Sequence, residues 1–209
     1  MVPFQAASWK VYRAYSLAIA LCLLSACQST PKTADDFHLE GLLQVQHHNL
    51  PKALENLDQA VMLESSNPVI LVNRGLVYSE LGNYEAAIAD YTAAIEHDNT
   101  LSEAYYNRAN AHHNLKQYEA AVADYSQAIK QKQDFAYAYA NRAIDLEALG
   151  RVDEAIADLT QAKGIFERND QNIDVKKVSD QIEQMRLKRE LPADLNSSGR
   201  FTSRSSSSF

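Results

Sequence analysis

Six histidines are the side chains in this sequence best suited to bind a metal or move a proton. Four of them come as the adjacent pairs His47-His48 and His112-His113. Adjacent residues of a helix point about 100° apart, so neither pair can converge on one ion from one face. No G-x-S-x-G, G-x-x-x-x-G-K, H-E-x-x-H or Cys/His cluster is present. Carboxylates scattered over an acidic chain carry no catalytic signal. Neither an enzyme nor a metal or other cofactor is expected. Two further sets recur at a fixed spacing. Asn73, Asn107 and Asn141 are evenly spaced along the chain. An amide donates and accepts at once, so such a row could pair with the backbone of an extended peptide whatever its side chains. The same amides could instead serve helix packing or solvent. Arg74, Arg108 and Arg142 keep the same period, as do Asp90, Asp124 and Asp158. Each arginine is expected to reach an aspartate on a packed helix, in its own unit or an adjacent one. This would be an ion pair of the scaffold or, alternatively, a ligand contact.

A repeated unit must position these residues. Aligned against itself at the asparagine interval, the chain sets Glu85-Ala86-Ala87-Ile88-Ala89-Asp90-Tyr91 over Glu119-Ala120-Ala121-Val122-Ala123-Asp124-Tyr125. The stretch Asp153-Glu154-Ala155-Ile156-Ala157-Asp158-Leu159 follows one period on. Gly75, Ala109 and Ala143 come directly after the arginines, and Gly41, Ala53, Leu57 and Ala60 mark a degenerate copy upstream. Four copies without insertion cover 34–169, as 34–67, 68–101, 102–135 and 136–169. Gly and Pro are scarce, at 6 and 5, which favours long helices. Breaks at Leu81-Gly82-Asn83, Leu115-Lys116-Gln117 and Leu149-Gly150-Arg151 suit short turns between antiparallel neighbours. Small residues let the two helices of a pair approach closely, and Tyr84, Tyr91, Tyr118 and Tyr125 fill the remaining space. Val175, Val178, Ile182 and Met185 recur at three and four residues, which predicts a helix over 170–190 capping the last unit.

The period and the placing of the small residues resemble the tetratricopeptide-repeat (TPR) family. That resemblance implies an all-α fold, a right-handed TPR superhelix (α-solenoid) of four helix-turn-helix repeats plus the capping helix. It also implies that the first helix of each repeat lines a concave groove for partner proteins. The chain departs from the family where Arg74, Arg108 and Arg142 replace the usual leucine, and where the proline near the repeat end is missing. Carried along the register, the groove divides into two halves. Leu39, Leu42, Val45, Val69, Val72 and Leu76 form an apolar half, open to a partner's amphipathic helix, a second copy of this chain, or the chain's own leash or tail. Tyr106, Asn107, Asn110, His113, Tyr137, Asn141 and Ile144, with Asn73, form a half of amides and aromatics expected to hold a peptide. In the same register His112 takes the core position of Tyr78. The lysines with which chaperone-binding members of the family clamp a terminal carboxylate are missing: Val72, Tyr106 and Ala140 precede the asparagines. Glu80 and Glu147 would repel an anionic terminus and suit a basic or neutral one.

The N-terminus reads as an address. Lys10 and Arg13 precede an apolar run from Ala14 to Leu24, which is too short to span a bilayer comfortably and fits a secretory signal. The run ends in Leu24-Ser25-Ala26-Cys27, which resembles the lipobox of bacterial lipoproteins; Cys22, behind bulky Leu21, fits less well. The resemblance implies a signal peptide over 1–26, acylation of the Cys27 thiol, and a leash over 27–33. A plain cleavable signal, or a buried helix with an incidental cysteine, is the alternative. Gln28 stands where an aspartate would favour inner-membrane retention, so the outer membrane, facing the periplasm, is expected. Residues 34–168 carry 21 acidic and 10 basic side chains, a balance of −11. With no basic stripe to displace counterions, nucleic acid is not an expected partner. Residues 191–209, rich in Ser, bury too little to order themselves and are expected to be a disordered tail. The sequence therefore points to a membrane-anchored adaptor that binds a peptide or helix of an unidentified protein. The alternative is a structural, homodimerising module of an envelope complex.

Overall fold

The computed structural model describes residues 31–190. The expected signal peptide, Cys27 and the Ser-rich tail lie outside the described residues. Within them nine helices follow one another: α1 Ala34–Gln46, α2 Leu50–Leu63, α3 Pro68–Glu80, α4 Tyr84–His97, α5 Ser102–Asn114, α6 Tyr118–Gln131, α7 Ala136–Ala148, α8 Val152–Arg168 and α9 Asn172–Glu190. They pack as four antiparallel pairs, α1/α2 to α7/α8, and α9 covers the last pair.

Local chemistry sets the helix ends. Thr33 caps α1 in a reciprocal box: its hydroxyl accepts from the Asp36 amide at 3.2 Å, while the Asp36 carboxylate accepts from the Thr33 amide at 2.8 Å. Those bonds hold the Asp36 carboxyl below its usual range. Asn49, Asn67 and Asn83 cap α2, α3 and α4, and Pro68 opens α3 where its missing N–H costs nothing. No side chain caps α5 to α8, so those helices depend on tertiary packing for their start.

The turn inside each pair is itself periodic. His48, Gly82, Lys116 and Gly150, each one period after the last, all take positive φ, between 56° and 77°. The following amide then reaches back to a helix carbonyl, as from Asn83 to Tyr78 and from Gln117 to His112, both at 2.9 Å. Glycine adopts this conformation freely. His48 and Lys116 do so at a cost of about 1 kcal/mol each.

Each pair closes on a small residue. Gly41, Gly75, Ala109 and Ala143 on the first helices are buried, facing Ala53, Ala87, Ala121 and Ala155 on the second. The contact is tightest at Gly75, where a Cβ would stand 2.6 Å from Cε1 of the buried Tyr91. Leu57, Tyr91, Tyr125 and Leu159 fill the same place in successive cores. At the far end, Val178, Ile182 and Met185 of α9 pack on Leu159, Ile165 and Phe166 of α8, with Val175 at the edge. That face of the last repeat would otherwise meet water.

Candidate functional site

The first helices of the pairs approach one another more closely than the second helices do, so α1, α3, α5 and α7 form the inner wall. The arginines stand on these helices but turn away from that wall. Arg74, Arg108 and Arg142 each donate from Nε and Nη2 to both carboxylate oxygens of Asp90, Asp124 and Asp158, at 2.6–2.8 Å. Their Nη1 atoms reach one repeat back, to Asp58 at 2.9 Å, Thr92 Oγ1 at 3.0 Å and Ser126 Oγ at 2.8 Å. Each guanidinium therefore ties its own second helix to the preceding one. Ion pairing raises the Arg74 and Arg108 pKa values further above the usual range. Tyr78, Tyr105 and Tyr139 lie 5.6–5.8 Å from these guanidinium carbons. Fork geometry and neighbouring aromatics use the arginine's shape as well as its charge.

The asparagines share one face but not one state. Asn73 Nδ2 meets His38 Nε2 at 2.7 Å. Asn141 Nδ2 donates to the Tyr106 hydroxyl and to Asn110 Oδ1, both at 3.1 Å. Asn110 Oδ1 also accepts from the Tyr125 hydroxyl at 2.6 Å. The expected row of open amides is thus partly spent inside the protein. His38 and Tyr106 hold the same position relative to Asn73 and Asn141, 35 residues upstream of each. The equivalent place before Asn107 is Val72, which can offer nothing. Asn107 is half-buried, and its amide has no hydrogen-bond partner among the described residues.

Several other groove residues also differ from the sequence expectation. Tyr106 is half-buried, its ring 4.6 Å from Phe135 and 5.8 Å from Tyr125, so only its hydroxyl serves the wall. Tyr137 is exposed, but its hydroxyl donates to Asp174 of α9 at 3.1 Å and its ring meets Phe166 edge-on. In the apolar half, Val45 and Val72 pack against the first two cores. Leu39, Leu42, Val69 and Leu76 remain exposed, Leu39 most of all at 65%. The amphipathic pattern is the same for a half-packed valine and an open leucine, so the register could not separate them.

His113 lies on the wall as expected, and Nδ1 approaches the Asp145 carboxylate at 2.5 Å. His112 points the other way, 2.6 Å from Gln117 and 3.8 Å from Asp124. Asp145 is fully buried, and its second oxygen has no partner among the described residues. Burial raises its carboxyl above the usual range, and His113 partly offsets this. Sequence reasoning missed Asp145. The signal was there: Ala111 and Val77 hold the same position in the two preceding repeats. A cavity of about 380 Å³ opens beside this network, lined by Asn110, His113, Asn114, Tyr125, Asn141 and Ile144. Among the described residues no group of three or more His, Cys, Asp or Glu is placed to hold a metal, and no helix is long and apolar enough to cross a membrane.

Comparison with known proteins agrees with this geometry. Residues 102–135 match the model of the tetratricopeptide repeat, and residues 75–116 match a second TPR repeat model. No curated protein matches the chain in sequence. Among solved structures, a crystal structure of MamA is similar with a TM-score of 0.65 and 20% identity, over 81% of this chain and 99% of that one. MamA 41-end from Desulfovibrio magneticus RS-1 is similar with a TM-score of 0.61 and 14% identity, over 78% and 100%. The first TPR of Spaghetti (RPAP3), bound to the HSP90 peptide SRMEEVD, gives 0.56 and 20%, over 59% and 98%. At these identities the likeness carries the fold alone. The fold is a TPR solenoid of four helix pairs plus a capping helix, and TPR domains are in general protein–protein interaction modules, typically non-catalytic.

Proposed function

We propose that this chain is an adaptor that holds an extended, basic or neutral peptide of a partner protein along its inner wall. The observation that carries this reading is the charge of the wall. The four inner helices contain no lysine, and the arginine on each of the last three is bound to an aspartate. They do carry Glu80 and Glu103, while Glu147 is paired with Lys188 of α9 at 2.8 Å, so an acidic peptide would meet repulsion with no unpaired lysine or arginine on these helices to offset it. Asn107 supplies the amide for peptide backbone: it stands between Val72 and Leu76 of the neighbouring helix in register, and no described residue hydrogen-bonds to it.

The test compares capture of envelope proteins by immobilised 28–209 and by its Asn107→Ala variant. Loss of the bound partner is expected from the variant, while Glu96→Ala on an outer helix retains it. Equal capture by all three chains removes the wall as the binding surface. We also propose that the adaptor is tethered through a lipid on Cys27, on the support of the Leu24-Ser25-Ala26-Cys27 motif and the apolar run before it. Cys27→Ser should leave an unacylated precursor in a radiolabelled-fatty-acid assay; full processing and labelling would refute the assignment. Exposed Leu39, Leu42, Val69 and Leu76 favour a second reading, self-association through the first two repeats. Light scattering of 28–209 decides it: a stable dimer lost in Leu39→Glu supports self-association, and a monomer at high concentration excludes it.

A further inference from the structure

A carboxylate is buried at a place where the two preceding repeats put alanine and valine. Asp145 is fully buried, Oδ1 is held by His113, and Oδ2 has no partner among the described residues. An ionised Asp145 only accepts, so His113 then carries a hydrogen on Nδ1, and a neutral ring keeps Nε2 as an acceptor. The cavity beside this pair offers further acceptors. Both hydrogens of the Asn141 amide are spent on Tyr106 and Asn110, and its oxygen accepts no hydrogen bond among the described residues. Asn114 donates to the Asn110 carbonyl at 2.8 Å, and its oxygen likewise has no partner among the described residues. No lysine or arginine lines the space. Residues with acceptors to offer therefore line a cavity of about 380 Å³, and one of them, His113, holds a buried carboxylate whose second oxygen has no partner among the described residues. Such a charge acts strongly at short range because the interior screens it weakly.

We infer that the cavity between α5 and α7 is the subsite for a cationic side chain, arginine or lysine, of the bound peptide. The inference rests on the peptide-holding reading above and names its specificity. The cation sits against Asn141 Oδ1, Asn114 Oδ1 and His113 Nε2, in the field of Asp145, with Ile144 against its aliphatic stem. The destabilising burial of Asp145 is then explained by binding rather than by folding.

Blocked pentapeptides of alanine with a central Arg, Lys, Gln or Glu, titrated into the full-length protein and followed by NMR, test this. The Arg and Lys peptides are expected to shift the side-chain amides of Asn110 and Asn141 and the ring of His113, and to saturate. Gln should bind on the order of tenfold more weakly, and Glu should leave these signals unmoved. Asp145→Asn should lower the affinity for the Arg peptide by on the order of tenfold. Asp145→Ala should do the same, and the register shows that alanine fits there, since Ala111 occupies the equivalent place. Unchanged affinity in both variants, or a Glu peptide binding as well as the Arg peptide, overturns the subsite. If all four peptides shift Asn107 equally, the wall still binds peptide and only the cation subsite fails. Silence with every peptide overturns both.

Discussion

Replacing Arg108 by methionine asks whether the arginine–aspartate bridges hold the array together. Arg108 donates to both oxygens of Asp124 at 2.7 Å and to Thr92 at 3.0 Å, so one side chain serves two repeats. The pair is largely shielded, with 18% of the arginine side chain and 9% of the aspartate exposed. Methionine keeps much of the stem's packing but leaves the Asp124 charge nearly buried. The other basic group near it is His112, at 3.8 Å. Breaking a buried pair from one side costs about 3–5 kcal/mol, and the residual exposure puts this case at the lower end, about 3 kcal/mol. For a domain of this size that is a fall in Tm of roughly 6–12 °C. Substituting both partners, Arg108→Met with Asp124→Leu, removes the orphaned charge and should cost under about 1 kcal/mol. The cycle should then give a coupling of at least about 2 kcal/mol, to which the cost of Asp124→Leu alone adds. Urea unfolding of 28–209, followed by circular dichroism at pH 7 and pH 4.5, measures all four corners. The stranded carboxylate of the single variant is relieved by protonation, so its deficit should shrink at the lower pH. A loss below about 1 kcal/mol, a deficit that does not change with pH, or a double variant as unstable as the two singles summed would refute the reasoning.

Three further substitutions probe other parts of the fold. Gly75→Ala drives a methyl group to 2.6 Å from the Tyr91 ring; overpacking should outweigh the gain in helix propensity, for a net loss of about 1 kcal/mol by urea unfolding. A stabilised variant would show that Tyr91 moves freely. Asp145→Ala should raise Tm at pH 7 by about 2–4 °C, because it removes a buried carboxyl with an unpaired oxygen. Burial raises that carboxyl, so its ionisation costs stability above the raised value, and the gain should fade as pH drops into the ordinary carboxyl range. A constant gain would place its origin elsewhere. Tyr91 is pushed up to about 12 by burial, so the stability it contributes is lost as pH rises from about 10 to 12. Tyr91→Phe, which loses the 3.2 Å bond to Ser79, should cost under about 1 kcal/mol at pH 7 and gain on the wild type at pH 11. An equal deficit at both values would exclude this linkage.

The sequence alone determined everything that repeats. A constant period with small residues at Gly75, Ala109 and Ala143 allows one kind of helix pair, whose dimensions follow from helix rise and a short turn. That each arginine meets an aspartate on a packed helix could be read from spacing; that the aspartate belongs to its own pair, with Asp58, Thr92 or Ser126 reached one repeat back, came from the structure. The capping stripe of Val178, Ile182 and Met185 was legible for the same reason. Tertiary structure decided how the repeats meet. Asn73, Asn107 and Asn141 are equivalent in register, yet His38 and Tyr106 engage two of them, and Val72 leaves the third without a partner among the described residues. Val45 and Val72 share the apolar pattern of Leu39 and Leu42, yet they are packed against a core. Asp145 of α7 finds His113 of α5 across the interface between two repeats. These contacts depend on how far one pair rotates over the next, a quantity that no single repeat encodes.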